Sequence, residues 1–80
     1  MTLTLNDICN LVQLQLGIRQ VNGNDHILEN LGADSVDIVN IIATAEEKYQ
    51  IEIDEAEIAQ LHTVSDLHEL VQQKITATNR

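Results

Sequence analysis

Four stretches of apolar residues spaced by threes and fours each open with a threonine or aspartate that is followed three positions later by an acid. The pairs are Thr4 with Asp7, Asp34 with Asp37, Asp54 with Glu57 and Thr63 with Asp66. At that spacing the first side chain accepts from a free N–H of a helix's opening turn, and the second reaches back to the N–H of the first. Each pair therefore marks a helix start. Proline is absent, so nothing breaks these helices from within. The chain is constrained to an all-α fold, and amphipathic helices of this number bury their faces as a four-helix bundle.

The first helix carries Leu5, Ile8, Val12 and Leu16 on one face, with Cys9 beside them, and closes at Gly17. From Ile18 to Gly32 the pattern lapses into a turn-forming cluster, Asn22-Gly23-Asn24-Asp25, followed by Ile27, Leu28 and Leu31 as apolar anchors. This stretch reads as a long ordered loop between the first two helices, packed by its own side chains. The second helix spans about residues 35–49 and the third, short and irregular, about 55–60. The last runs from residue 64 to about 77 with Val64, Leu67, Leu70, Val71 and Ile75 on its face. Three long helices and one short one make a single domain over residues 1–80, since no repeat, linker or low-complexity stretch divides the chain.

Tyr49 is the only aromatic residue, so Leu, Ile, Val and Ala must fill a small and pliable core. Thirteen acids against four bases give a net charge of −9, which excludes nucleic acid as a partner and favours proteins that present Lys and Arg. Solubility is the plainer reading of that charge. The lone Cys9 allows no internal disulfide, and no signal-like or membrane-spanning apolar run occurs, so a cytoplasmic monomer is the expected form, the chain being taken as whole.

On a helical wheel the second helix has two apolar stripes. Ile38, Ile41, Ile42, Ala45 and Tyr49 share one side, wide enough for a bundle core. Val36, Val39 and Ala43 lie nearly opposite, where a surface helix is ordinarily polar. Single exposed apolar side chains are common, but these three form a stripe that begins within a turn of Ser35 on the helix that the serine heads. With Asp37, Asn40, Glu46 and Glu47 around them they form the candidate docking face, apolar contact for grip and rim charge for steering.

Ser35 sits in Leu31-Gly32-Ala33-Asp34-Ser35-Val36-Asp37-Ile38. With Asp34 as cap, it is the first helical residue, where the free N–H groups of the opening turn favour an anion such as a phosphodiester. No Gly-x-Ser-x-Gly elbow surrounds it and no histidine is near in sequence, so it is expected to be a modified serine rather than a catalytic nucleophile. This run, followed by Val39, Ile41, Ile42 and Glu46-Glu47-Lys48-Tyr49, closely resembles acyl carrier proteins over almost the whole chain.

The resemblance implies that Ser35 receives 4′-phosphopantetheine from coenzyme A, and that the arm's thiol carries acyl groups as thioesters. It implies a phosphopantetheinyl transferase as one partner, and acyltransferases, ketosynthases and related acyl-processing enzymes with basic patches as others. Positions matching Val36, Val39, Ala43 and Glu47 belong to the surface such enzymes recognise, and an interhelical cavity shelters part of the acyl chain. Ala45 is small enough to widen such a cavity, and filling by its neighbours is the alternative. Aryl and peptidyl carriers share the serine but usually show Gly-Gly-(His/Asp)-Ser where this chain has Gly-Ala-Asp-Ser. An unmodified interaction module, with Ser35 a plain helix residue, is the alternative of another class. Val36 in place of the commoner leucine, Asn30 and Asn40 where acids are frequent, and Lys48 within an acidic stretch depart from the family pattern. They point to a specialised carrier in polyketide, lipid or signalling chemistry.

The remaining candidates have plainer readings. His26, His62 and His68 are dispersed, with no zinc-site spacing, so no metal is expected. His68 falls at the edge of the last helix's apolar face, as a boundary residue or a mildly pH-sensitive contact. Cys9 reads as a small buried hydrophobe. Glu52, Asp54, Glu55 and Glu57 lack the glycine and spacing of an EF-hand and read as a solvated rim.

Overall fold

The structure, a computed structural model, describes residues 3–78, except for the side chain of Thr78. It holds four helices: α1, Leu5–Leu16; α2, Ser35–Tyr49; α3, Glu55–Ile58; and α4, Val64–Thr78. The capping pairs explain where they begin. Thr4 Oγ1 accepts from the Asp7 N–H at 3.2 Å while Asp7 Oδ2 accepts from the Thr4 N–H at 3.0 Å. Asp34 and Asp37 exchange the same two bonds at 2.9 and 3.2 Å. Thr63 and Asp66 do so at 3.1 and 3.0 Å, and Asp66 Oδ2 also accepts from the His62 N–H at 3.1 Å. At α3, Glu57 Oε1 accepts from the Asp54 N–H at 3.0 Å.

Helix ends were less legible. Gly17 closes α1 in the left-handed conformation at φ 68°, as its position predicts. Gln50 closes α2 in the same conformation at φ 57°, with no glycine to mark it, and its side-chain amide donates to the Glu47 carbonyl at 2.9 Å. The third helix is two residues shorter than predicted. After Ile58 the N–H groups of Gln60 and Leu61 bond three residues back, to Glu57 and Ile58, which tightens the chain out of the α-helix.

Helices α1, α2 and α4 pack directly on one another. Ile8, Val12, Ile41, Val64, Leu67 and Val71 are the largest fully enclosed side chains. Short α3 is held differently, by Ile58 against the core and by an ion pair from Glu57 Oε1 to Lys74 Nζ of α4 at 2.8 Å. That contact lowers the Glu57 pKa and raises that of Lys74. Both predicted faces of α2 are present: Ile41, Ile42 and Ala45 are buried, with Ile38 and Tyr49 packed against the core. In α1 the prediction needs correction. Leu5 is 37% exposed, whereas Leu11, outside the predicted stripe, is buried because α1 contacts both α2 and α4 and so presents a wider arc.

The loop between α1 and α2 is ordered by long-range pairing. Ile27 N–H donates to the His62 carbonyl at 3.0 Å, Val64 N–H to Asp25 at 3.1 Å and Ser65 N–H to Gly23 at 2.9 Å. Gly23 allows this approach, since a Cβ there would stand 2.7 Å from both a Leu5 methyl and the Ser65 hydroxyl. Val21, Ile27 and Ala33 are buried, but Leu28, expected as an anchor, is 53% exposed. The N–H groups of Asn30 and Leu31 both donate to the His26 carbonyl, and the resulting turn sets Ile27 inward and Leu28 outward.

The chain entering α1 is held by α4. Leu3 is buried, its N–H donates to Gln72 Oε1 at 3.3 Å, and its carbonyl lies 3.2 Å from His68 Nε2. His68 is thus the boundary contact its position predicts. Cys9 is buried and free, and burial, with the Asp25 charge adding to it, pushes its thiol pKa up, away from reactivity.

Candidate functional site

Ser35 is exposed and is the first residue of α2, directly after the extended Asp34. Asp34 Oδ1 takes the Asp37 N–H and the Asp34 carbonyl takes that of Ile38 at 3.1 Å. The N–H groups of Ser35 and Val36 have no carbonyl a turn earlier within the helix to accept them. Upstream, the Ala33 N–H donates to the Ile27 carbonyl at 3.2 Å and Gly32 turns the chain at φ 69°. The serine therefore stands on a rigid edge between an anchored loop and a doubly capped helix. A phosphodiester on its oxygen would face the positive end of α2, and an exposed primary hydroxyl suits such a linkage. Both neighbouring carboxylates are turned to backbone N–H groups.

Down the outer face of α2, Val36 and Val39 are 66% and 60% exposed, and Asn40, Ala43 and Glu47 are exposed with them. Asp37 is half-buried, as a capping partner must be. Glu46 differs from expectation as a free rim charge. It is half-buried, and its Oε2 accepts from the Ile53 N–H at 2.9 Å, tying the segment after α2 back to the helix. A bond between residues seven apart through an irregular segment leaves no periodic signal in sequence. Lys48 lies 5.6 Å above the Tyr49 ring, a cation–π contact that gives this base a local role.

The lower end of the face opens into a groove of about 800 Å³ lined by Ala43, Glu46, Glu47, Gln50, Ile51, Glu52, Lys74 and Ala77. A smaller one of about 220 Å³ lies between Glu57, Leu61, Asp66 and Leu70. Ala45 lines neither and is fully enclosed in the core, so its small side chain is matched by close neighbours. Among the described residues no group of three or more His, Cys, Asp or Glu side chains is placed to hold a metal ion, and no helix is long and apolar enough to cross a membrane.

Fold and site together define a class: a small acidic helical bundle whose chemical offering is one solvent-facing serine at the head of a helix. The family described as "Phosphopantetheine attachment site" matches residues 6–71. An acyl carrier protein of Chlamydia caviae is 41% identical over 64 residues, 78% of this chain and 83% of that protein. The holo acyl carrier protein of Geobacter metallireducens superposes with a TM-score of 0.82 at 22% identity, over 94% of this chain and 88% of that one. The acetyl actinorhodin acyl carrier protein of Streptomyces coelicolor superposes at 0.78 with 18% identity, over 95% and 94%. This chain belongs to the acyl carrier protein family. The family's members are carriers rather than enzymes, their cofactor is phosphopantetheine, and they work with a phosphopantetheinyl transferase and acyl-processing enzymes.

Proposed function

We propose that Ser35 is the residue that takes 4′-phosphopantetheine from coenzyme A, and that the chain delivers acyl groups to fatty-acid, polyketide or related lipid-synthesis enzymes in the cytoplasm. The observation that carries this reading is an exposed serine on the first turn of α2, held by the Asp34–Asp37 cap within the matched residues. When attached, the arm supplies a thiol that holds the acyl group as a thioester. The protein's own residues do the rest. Asp34 and Asp37 fix the helix end, so that the serine reaches a transferase in one geometry. Val36, Val39 and Ala43 give a small apolar contact, and Asn40 and Glu47 rim it, a composition suited to fast docking and fast release by an acyltransferase or ketosynthase with a basic patch.

Intact mass after incubation with coenzyme A, magnesium and a broad-specificity phosphopantetheinyl transferase tests the first part. One arm on the natural chain and none on Ser35→Ala supports the reading. No gain on folded, unmodified natural chain favours the interaction module instead. The pathway reading rests on the departures at Asn30, Val36, Asn40 and Lys48, and Asn40, neutral on an otherwise acid-rimmed face, is the one chosen for the test. Housekeeping malonyl-transferase is expected to load the natural holo chain poorly and Asn40→Glu better; normal loading with no gain would remove the case for a specialised carrier.

A further inference from the structure

Two histidines that sequence keeps apart meet in the fold. The rings of His26, in the loop before α2, and His62, just ahead of α4, lie 6.3 Å apart between centroids with planes inclined by 38°. Both stand on fixed backbone. The His26 N–H donates to Asn30 Oδ1 at 2.7 Å, and His26 forms an antiparallel bridge with Thr63. The His62 N–H donates to Asp66 Oδ2 at 3.1 Å while its carbonyl takes the Ile27 N–H at 3.0 Å. His62 is exposed and His26 half-buried, so both rings reach solvent. His68, by contrast, spends a ring nitrogen on the Leu3 carbonyl.

We propose that His26 and His62 form a two-imidazole chelate for one zinc-type divalent ion, with water completing its coordination. Neutral imidazole is the commonest protein ligand for such ions, and nitrogen donors suit zinc, nickel and copper. Zinc–nitrogen bonds of about 2.0–2.1 Å require the rings to close in slightly. Rotation about the side-chain torsions of two solvent-facing rings supplies that movement at little cost. Backbone pairing has already brought the two residues together, so binding does not have to order them. The net charge of −9 concentrates cations around the chain. Structural zinc sites use four protein ligands, and no third ligating side chain completes a cluster here among the described residues. The site is accordingly weak and reversible. A bound ion clasps the loop that leads to Ser35 onto the start of α4.

The test uses the full chain with Zn²⁺ as the probe, near pH 7.5. Calorimetry gives the affinity, and long-range ¹H–¹⁵N spectra of the rings give its location. One ion per chain is expected, shifting the ring signals of His26 and His62 and not those of His68. Removing a direct ligand costs at least what loss of an outer partner does, roughly tenfold in affinity. His26→Gln and His62→Gln are each expected to show that loss, while His68→Gln binds as the natural chain does. Zinc should raise the Tm of the natural chain and leave that of His62→Gln unmoved. Equal affinity in either His26→Gln or His62→Gln, both checked for fold by backbone amide spectra, overturns the proposal, as does absence of binding at millimolar zinc. None of these readouts depends on Ser35 or its modification.

Discussion

The two faces of α2 are built from nearly the same side chains and have opposite fates. Ile41 and Ile42 are 1% and 4% exposed, while Val36 and Val39, a turn or so away, are 66% and 60% exposed. Hydrophobicity does not decide between them; angular position does. The inner stripe meets α1 and α4, and folding explains it. The outer stripe meets solvent, where a helix selected for stability alone would carry polar residues. Three small side chains cover far less than a stable protein interface needs, so this face suits brief contacts and poorly suits lasting ones.

Substitutions on each side break or sharpen that comparison. Ile41→Ala, at an enclosed position, is expected to cost about 3 kcal/mol in urea unfolding, from lost burial and the cavity left behind. Val39→Ser is expected to move stability by less than about 0.5 kcal/mol. It should instead slow arm loading by the transferase about tenfold, the equivalent of roughly 1.4 kcal/mol. Equal losses of stability in the two variants would erase the distinction between the faces. At the end of α2, Gln50→Gly relieves a left-handed residue that costs roughly 1–2 kcal/mol, against about 0.5–1 kcal/mol for glycine's freedom in the unfolded chain. A net gain of about half a kcal/mol, read by thermal unfolding, is expected there.

The smallest effect concerns acid. The Thr63 N–H, with lesser help from the His62 N–H and the Thr63 hydroxyl, holds Asp66 below its ordinary pKa of 3.8. The folded state therefore prefers the carboxylate. Its contribution is present in full above that ordinary value and fades as pH falls below it, through the lowered folded value. Asp66→Asn flattens this part of the acid limb below about pH 4 in a plot of stability against pH, and leaves the curve's shape near neutrality unchanged.

What could be read without the structure was local. A capping pair spans four residues, so the helix starts, Ser35 among them, were legible from side-chain chemistry alone. The stripes of α2 followed from a period of 3.6. What escaped depends on pairing across the chain or on irregular backbone. Leu11 is buried because α1 is contacted from two directions, and Leu28 is exposed because a turn closed on the His26 carbonyl rotates it outward. Glu46 gives its carboxylate to Ile53, and His26 meets His62 through a bridge that no spacing announces. At the proposed site, Ser35, Val36 and Val39 stand where the motif and wheel put them, and Glu46 is the member with other work.

The three backbone bonds that order the loop join residues roughly forty positions apart in sequence. Such a closure forms only after α4 has returned across the chain, because the loop entropy must be overcome before these bonds can offset it. The loop that leads to Ser35 is therefore held in place only while the start of α4 is docked against it. Loosening the start of α4 would thereby loosen the approach to the serine as well, so a distant part of the chain shares in how firmly Ser35 is presented.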